Sequence, residues 1–273
     1  MVHLNKINEI VEDYQNQGYK LTLRQLYYQL VTKNVIPNQD REYKKLSRVL
    51  TEGRMAGLVD WDAIEDRLRR PSNVYTVSDI PDALNDTYNQ YRLNRQSGQP
   101  IHIEVWVEKD AISSVLKRVT QKYGVNILVN RGYGSVTAIK DAYDRFEWRV
   151  RDGKDVTILY LGDHDPSGLD MIRDINKRVS EMLEHDGYDD SFEIIPIALT
   201  MEQIRKYNPP PNPAKITDTR SPAYIAEFGK VSWEVDALPP EVLNEVLENN
   251  ILELLDKRQY DNVVRRELHE KAE

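Results

Sequence analysis

Two acidic clusters, each directly after an apolar run, constrain the fold of this 273-residue chain more than any other feature. Glu108 follows an alternating apolar run at 101–107, whereas Asp163 and Asp165 follow a nearly continuous apolar run at 156–161. Apolar runs of this length are typical of buried parallel strands. Because ligands in open α/β sheets bind at the carboxyl ends of the strands, the sequence predicts that the three carboxylates meet at one edge of such a sheet.

Three carboxylates in one place form an all-oxygen site. Hard, small cations such as Mg²⁺ prefer oxygen ligands, and Mn²⁺ is the alternative ion. An acidic residue after a strand is also common as a helix N-cap, so either cluster alone is weak evidence for a site. The two clusters together, separated by a helix–strand–helix pattern, predict a Mg²⁺ site formed by Glu108, Asp163 and Asp165.

Composition narrows the class of protein. The chain has no cysteine, which excludes disulfides and thiolate metal sites. No apolar stretch approaches the ~20 residues that span a bilayer, and the N-terminus lacks the apolar core of a signal peptide, so we expect a cytoplasmic protein without a membrane partner. A net charge of −8 argues against non-specific coating of nucleic acid. Residues 1–70 are the only part with a slight basic excess, 12 Lys and Arg against 10 Asp and Glu.

The first 70 residues are predicted to form a compact helical module. Apolar residues at positions 7, 10, 11 and 14 mark one face of a first helix. Thr22 and Gln25 have the spacing of a capping box at the start of a second helix, and residues 41–57 predict a third. A short helix within 61–70 would close the module. Short helices with little strand are typical of helix-turn-helix and winged-helix modules.

Residues 71–99 are predicted to connect this module to a second domain, with a helix at about 81–93 inside the connection. From residue 100 to 273 the pattern alternates strand and helix, with strands expected near 101–107, 125–130, 156–161 and 192–199. Such alternation favours a central, mostly parallel sheet with right-handed crossovers. A C-terminal helical extension follows a proline-rich loop at 208–213.

Several motifs in this order resemble one family. The segments VEKDA (107–111), NRGYGS (130–135) and GDHDPSG (162–168) resemble the TOPRIM domain of topoisomerases, primases and related nucleases. TLRQLYYQL (22–30) resembles the catalytic helix of the topoisomerase VI A subunit and its meiotic double-strand-break relatives, and WEVDAL (233–238) resembles their later acidic segment. The resemblance covers most of the chain and is nearest to the small, free-standing Mini-A-like relatives.

The resemblance implies that Tyr28, the second of two adjacent aromatic residues, is the nucleophile and that Arg24 positions the phosphate. Helical geometry selects the same tyrosine, because Tyr27 falls on the apolar stripe of its helix whereas Tyr28 falls off it, one turn after Arg24. Tyr28 is therefore expected at the surface. A phenol with a pKa near ~10 is a poor nucleophile until its charge is stabilised, which a neighbouring guanidinium can do.

The expected fold is thus mixed α/β, with a winged-helix-like helical module followed by a TOPRIM domain. The resemblance implies Mg²⁺-dependent cleavage and rejoining of double-stranded DNA by tyrosine transesterification, in the manner of a type IIB topoisomerase A subunit. It also implies a homodimer in which the tyrosine of one subunit works with the metal site of the other. Since the chain has no G-x-x-x-x-G-K-[ST] loop, strand passage would need a separate ATPase subunit. A hydrolytic TOPRIM nuclease and a DNA-binding or bridging protein with little catalysis are the alternatives.

Other residues near the motifs receive ordinary structural interpretations. Lys109 is expected to be a surface lysine, and His164 to face solvent on a tight turn. Trp61 and Trp106 are expected to be packing residues rather than base-stacking platforms. Gly132 and Gly134 are expected to permit a tight strand-to-helix turn. For Glu234 and Asp236, whose spacing suits one face of a strand, a place near the metal is implied mainly by the resemblance.

Overall fold

The computed structural model describes residues 4–65, 74–130, 132–213 and 220–273. The N-terminal segment consists of helices around one apolar cluster, to which Leu26 and Leu46 belong. These helices are α1 (Leu4–Asn16), α2 (Leu23–Thr32), α3 (Asp40–Met55) and a short 3-10 helix (Trp61–Ala63). The three predicted α-helices are confirmed. The rest of the helix expected to close the module, at 66–70, lies outside the described residues.

The start of helix α2 is fixed by the predicted capping box. The side chain of Thr22 accepts from the backbone N–H of Gln25, and the side chain of Gln25 accepts from the backbone N–H of Thr22 at 2.8 Å. Because both donors would otherwise lack partners at the helix end, the cap defines where the helix begins. It thereby sets the positions of Arg24 and Tyr28 in the first two turns.

The connection contains the predicted helix, α4 (Ile80–Gln90), and the second part of the chain contains a four-stranded sheet. Its strands are β1 (Ile101–Val107), β2 (Asn126–Val129), β3 (Asp155–Leu161) and β4 (Phe192–Ala198). All three strand pairs are parallel, and the order across the sheet is β2-β1-β3-β4. The mixed α/β fold with a central parallel sheet is therefore confirmed.

Helices cover both faces of this sheet, as the apolar runs of its strands require. The crossover helices are α5 (Asp110–Tyr123), α6 (Val136–Arg151) and α7 (Pro166–His185). Helix α5 contributes to the apolar cluster on one face, and helices α6 and α7 contribute to the cluster on the other. Strands β1 and β3 are neighbours in register, with Val107 opposite Leu161. The residues that follow these two strands are consequently brought together.

The remainder of the chain returns to the carboxyl edge of the sheet and then covers its first face. The elements are α8 (Met201–Tyr207), β5 (Asn212–Pro213), α9 (Ser221–Phe228), β6 (Val231–Ser232), a second 3-10 helix (Val235–Ala237), α10 (Pro240–Leu254) and α11 (Lys257–Ala272). Strands β5 and β6 form a two-residue antiparallel pair. Helix α2 packs on the second 3-10 helix, and Ala237 belongs to the apolar cluster of the N-terminal helices. The N-terminal module therefore lies against the sheet domain at this point.

Within the described ranges, no helix is both long enough and apolar enough to cross a membrane.

Candidate functional site

Two of the predicted metal ligands are in direct contact at the carboxyl edge of the sheet. Glu108 follows β1 and accepts a hydrogen bond at Oε2 from the backbone N–H of Asp163, which follows β3, at 2.9 Å. Asp163 in turn accepts at Oδ1 from the backbone N–H of Val235, also at 2.9 Å. The structure thus places Glu108 and Asp163 together, as the strand order predicted.

Asp165 lies on the same turn and caps helix α7. Its Oδ1 accepts from the backbone N–H of Gly168 at 2.6 Å and from the hydroxyl of Ser167 at 2.7 Å. A Cβ at Gly168 would lie 2.3 Å from the carbonyl oxygen of Asp163, closer than any side chain tolerates. The turn between β3 and α7 therefore requires glycine at position 168, which explains the last residue of the GDHDPSG segment.

The side chain that points into this acidic edge is Lys109. Its Nζ lies 2.8 Å from Asp163 Oδ1, 2.8 Å from Glu234 Oε2 and 3.0 Å from Asp236 Oδ1. Burial alone would lower the pKa of this ammonium, but the three surrounding carboxylates, led by Asp236, raise it. The expectation of an ordinary surface lysine is wrong, because Lys109 is a largely buried cation held by carboxylates on two segments.

Arg24 extends the same ion-pair network to the N-terminal module. Its guanidinium binds the carboxylate of Glu234, and its Nε lies 3.1 Å from Asp236 Oδ2 in an ion pair that lacks hydrogen-bond geometry. Glu234 and Asp236 flank Val235 at the start of the second 3-10 helix rather than in a strand. Burial would raise the pKa of Glu234, yet Lys109 and Arg24 hold it at about 2. Both carboxylates are therefore shared between the same two cations.

Tyr28 lies one turn beyond Arg24, whose guanidinium carbon is 5.8 Å from the centre of its ring. The expectation that Tyr28 is exposed is wrong: 4% of its surface is accessible, against 5% for Tyr27. Its hydroxyl oxygen accepts from Nδ2 of Asn212 at 3.4 Å. Burial and the nearby Glu234 raise the pKa of the phenol above its ordinary value, and Asn212 and Arg24 only partly oppose this rise.

A cleft of about 420 Å³ lies between Tyr28 and Arg24 on one side and Asp163, Asp165 and Glu234 on the other. The residues lining it come from the N-terminal helices, from the two acidic segments and from the β5–β6 pair: Arg24, Tyr27, Tyr28, Asn38, Asp40, Tyr43, Asp163, Asp165, Asn212, Pro213, Ser232 and Glu234. Asn38 crosses the cleft by donating from Nδ2 to Oδ1 of Asn212 at 2.8 Å, and it accepts from the hydroxyl of Tyr27 at 2.9 Å. The tyrosine helix and the acidic edge of one chain thus share a single cleft.

The donor chemistry of the three predicted ligands fits a hard divalent cation. Each of Glu108, Asp163 and Asp165 has one carboxylate oxygen bound by protein donors and a second that accepts no hydrogen bond from the described residues. Burial raises the pKa of Asp163 to about 7, with a further rise from the nearby Glu108 and an opposing effect of Lys109. Burial also raises the pKa of Glu108. Across the described ranges, however, no three acidic, histidine or cysteine side chains are spaced around one point as metal ligands would be. The three carboxylates lie at one edge of the sheet but do not surround a single point.

The position of His164 differs from the one expected from the sequence. His164 is buried rather than solvent-facing, because its ring packs against the aromatic rings of Tyr224, Phe228 and Trp233. Its Nδ1 lies 2.8 Å from the hydroxyl of Tyr224. The Tyr224 contact joins the β3–α7 turn to helix α9, and the backbone pairing of His164 with Trp233 joins the same turn to the segment before the second 3-10 helix.

Trp106 and Trp61 differ in their exposure to solvent. Trp106 is 1% exposed, as expected for a packing residue, and its indole N–H donates to Glu104 at 3.1 Å. Trp61 is 60% exposed, and it packs at the surface with the guanidinium carbon of Arg54 5.1 Å from the centre of its ring. Gly132 has φ of +71°, which confirms the predicted turn at that position.

The structure adds three functional candidates that local sequence patterns did not indicate, namely Lys109, Asn38 and Asn212. Lys109 stood beside Glu108 in the VEKDA segment, but its partners lie far along the chain and gave no local signal. Asn38 and Asn212 lie in short segments without periodicity, where amide side chains are ordinary loop residues. Spatial proximity alone identifies them.

No family model matches this chain, and no curated protein matches it significantly.

Proposed function

We propose that this protein cleaves and rejoins double-stranded DNA by tyrosine transesterification, as an A-subunit-like member of the topoisomerase VI and meiotic double-strand-break family with a TOPRIM domain. The observation that carries the proposal is the shared cleft, in which Tyr28 and Arg24 on α2 face the acidic edge that carries Asp163 and Asp165. A nucleophile, a cation for the phosphate and a set of oxygen ligands in one cleft are the parts that phosphoryl transfer needs.

In the proposed reaction the hydroxyl oxygen of Tyr28 forms a bond to the phosphorus of the DNA backbone. The bond from that phosphorus to a deoxyribose oxygen breaks, and the proton lost by the tyrosine ends on the released oxygen. The tyrosyl phosphodiester keeps the energy of the broken linkage, so the reverse reaction reseals the strand without an added energy source. Arg24 would hold the phosphate during both steps.

Glu108, Asp163 and Asp165 would hold Mg²⁺ or Mn²⁺ through the carboxylate oxygens that remain available. The ion would supply positive charge against the negative charge that develops on the phosphate oxygens. Lys109 would keep the other acidic side chains in place beside it, since its ammonium binds Asp163, Glu234 and Asp236 together.

We further propose that the protein works as a homodimer on DNA. Two-fold symmetry would present one nucleophile to each strand of a duplex, which produces a staggered double-strand break. A complete strand-passage cycle would require a separate ATPase subunit, because the sequence carries no P-loop motif.

A hydrolytic TOPRIM nuclease remains the second candidate, and one observation favours it. The hydroxyl of Tyr28 is buried and its pKa is raised, so the tyrosine as it stands is a less reactive nucleophile than a metal-activated water. In that reaction water would attack phosphorus, and no protein–DNA bond would form.

Trapping the protein on DNA under denaturing conditions, with Mg²⁺ or Mn²⁺ present, separates these reactions. We expect a covalent adduct in the native protein and in Tyr27→Phe, and none in Tyr28→Phe. The two variants form a matched pair, because both tyrosines are buried, both line the cleft and both keep their ring. Metal-dependent nicking without any adduct would favour the hydrolytic reaction, and an adduct mapped to Tyr27 would overturn the assignment of Tyr28. Duplex binding that survives Asp163→Ala/Asp165→Ala, with no cleavage by any protein, would indicate a DNA-bridging role instead.

A further inference from the structure

The carboxylate of Glu234 is bound by donors from three separate elements. Its Oε2 accepts from the guanidinium of Arg24 on α2 and from Nζ of Lys109 at 2.8 Å. Its Oε1 accepts from Nδ2 of Asn212 in β5 at 3.3 Å. Two cations and an amide N–H that converge on one anion form an anion-binding site, and here the anion is part of the protein.

Glu234 is the more exposed of the two carboxylates that share these cations. Asp236 is completely buried and also faces both Arg24 and Lys109, at 3.1 Å and 3.0 Å. The side chain of Glu234 is 21% exposed and lines the cleft. If Glu234 moved away, Asp236 would still hold both cations in position. The arrangement therefore separates a fixed carboxylate, which positions the cations, from one that can be exchanged for another anion.

The exchangeable position is next to the proposed nucleophile. The same Nδ2 of Asn212 that donates to Glu234 also lies 3.4 Å from the hydroxyl oxygen of Tyr28. A phosphodiester and a carboxylate each present two anionic oxygens, and guanidinium groups bind both in the same two-pronged manner. An anion bound in place of Glu234 would therefore lie beside the tyrosine oxygen that has to reach phosphorus.

We propose that Arg24, Lys109 and Asn212 form a subsite for a DNA phosphodiester, and that the carboxylate of Glu234 fills this subsite until DNA displaces it. The inference rests on the proposed function and adds the identity of the groups that receive the phosphate. It also explains why an acidic side chain stands between the cations and the cleft: Glu234 is an internal competitor, and DNA must replace it before Tyr28 meets a phosphate.

Removing the charge of Glu234 should strengthen DNA binding rather than leave it unchanged. We would measure the affinity for a short labelled duplex by fluorescence anisotropy in EDTA, at fixed ionic strength, so that no cleavage occurs. Glu234→Gln is expected to bind at least about tenfold more tightly than the native protein, since charge-assisted hydrogen bonds to the competitor are lost. Glu227→Gln, which removes one exposed carboxylate on α9, is the control for the general change in net charge.

The gain in DNA affinity from Glu234→Gln should depend on Arg24, one of the two cations that Glu234 binds. In Arg24→Gln, adding Glu234→Gln should produce no tenfold gain, because the subsite is then incomplete. Equal affinity of Glu234→Gln and Glu227→Gln, or a gain that persists without Arg24, would overturn the proposal. If Glu234→Gln does not fold, Glu234→Asp provides the same comparison, because its shorter side chain cannot bridge Arg24, Lys109 and Asn212 together.

A second measurement does not depend on DNA. Inorganic phosphate, compared with chloride at equal ionic strength, should raise the melting temperature of Glu234→Gln more than that of the native protein or Glu227→Gln. An equal shift in all three proteins would contradict the subsite. A larger shift in Glu234→Gln without any gain in duplex affinity would reassign the subsite to free phosphate and overturn its assignment to DNA.

These outcomes are distinguishable from a failure of the proposed reaction. If the native protein forms the covalent adduct but Glu234→Gln shows no gain in affinity, transesterification stands and the competitor role of Glu234 fails. If Glu234→Gln binds duplex more tightly but no protein forms an adduct, the phosphodiester subsite stands and the tyrosine reaction fails.

Discussion

Arg24 and Asp236 form an ion pair, with 3.1 Å between Nε and Oδ2, that joins the N-terminal helices to the sheet domain. Asp236 is completely buried, whereas the side chain of Arg24 is 44% exposed. The other oxygen of Asp236 accepts a hydrogen bond from Lys109 at 3.0 Å. The carboxylate of Asp236 thus binds Arg24 of the N-terminal helices and Lys109 of the sheet domain, and so links the two sides of the cleft.

Asp236→Ala should therefore destabilise the protein strongly. The substitution leaves the largely buried ammonium of Lys109 with fewer partners, and we expect the free energy of unfolding to fall by about 3 kcal/mol. Asp62→Ala is the control, since Asp62 pairs with Lys20 at 2.9 Å but its side chain is 82% exposed. That change should reduce stability by less than about 1 kcal/mol. Urea unfolding measures both, and equal losses would contradict a structural role for Asp236.

Gly168→Ala should also destabilise, although it lies in the first turn of a helix. Alanine ordinarily stabilises a helix by about 1 kcal/mol relative to glycine. Here the added Cβ would meet the carbonyl oxygen of Asp163 at 2.3 Å, so the β3–α7 turn must shift. We expect a net loss of about 2 kcal/mol in thermal or urea unfolding.

Gly153→Ala provides the comparison for this close contact. Gly153 has φ of +80° and no atom within 4 Å of an added Cβ, so its substitution adds backbone strain without overlap. That strain costs about 1 kcal/mol. Unchanged or increased stability of Gly168→Ala would show that the turn is looser than the structure indicates.

Glu104, on strand β1, should make stability depend on acid pH. It is 2% exposed, and burial alone would raise the pKa of its carboxyl. The ring of His102, whose Nε2 lies 3.8 Å from Oε1, and hydrogen bonds from Arg145 and Trp106 nevertheless hold that pKa at about 2. Because the folded pKa is below the unfolded value of about 4.3, the contribution of Glu104 is fully present above that value and is lost as pH falls towards about 2.

Glu104→Gln tests this dependence. The native protein should lose about 2 kcal/mol more stability than Glu104→Gln between pH 5 and pH 2. Parallel curves of unfolding free energy against pH would contradict the assignment. Glu193→Gln is the control for the loss of a carboxyl from the same sheet. Glu193 lies on the edge strand β4, and its carboxylate accepts a hydrogen bond from the hydroxyl of Thr157 at 3.0 Å.

The elements of the fold were predictable because their signals are local. The capping box of Thr22 and Gln25 and the apolar runs of the four strands depend only on neighbours in the sequence. The meeting of Glu108 and Asp163 followed from one general rule, that the carboxyl ends of the strands in a parallel sheet lie at the same edge.

The surroundings of the site were not predictable in this way. Tyr28 lies off the apolar stripe of α2, but it is buried, and Asn212, which is distant in sequence, contacts its hydroxyl. The burial of Lys109 and His164 was not predicted for the same reason. Lys109 contacts Asp236 and His164 contacts Tyr224, and both partners are distant in sequence. Periodicity reports which face of an element is apolar, but not which later segment packs against its polar face.

In a homodimer, the tyrosine and the metal ligands of one active site can come from the same chain or from two subunits. The family resemblance implies that the tyrosine of one subunit works with the metal ligands of the other. In this structure Tyr28 and its own Asp163 and Asp165 line one cleft, closed by the ion pair of Arg24 and Asp236. Because the tyrosine helix packs against the acidic edge of its own chain, one chain can form a complete site in cis. We therefore expect the cis arrangement in the proposed homodimer.

Differently tagged copies of Tyr28→Phe and Asp163→Ala/Asp165→Ala, produced together and purified through both tags, provide the test. In the cis arrangement neither copy has a complete site, so the purified heterodimer should form no covalent adduct. In the trans arrangement one site is intact, and the heterodimer should nick one strand and carry an adduct on the copy that retains Tyr28. Tagged native copies purified in the same way are the control for activity. If the native tags do not purify together, even with DNA present, the homodimer is wrong, and each chain must then cleave through the cleft that it contains.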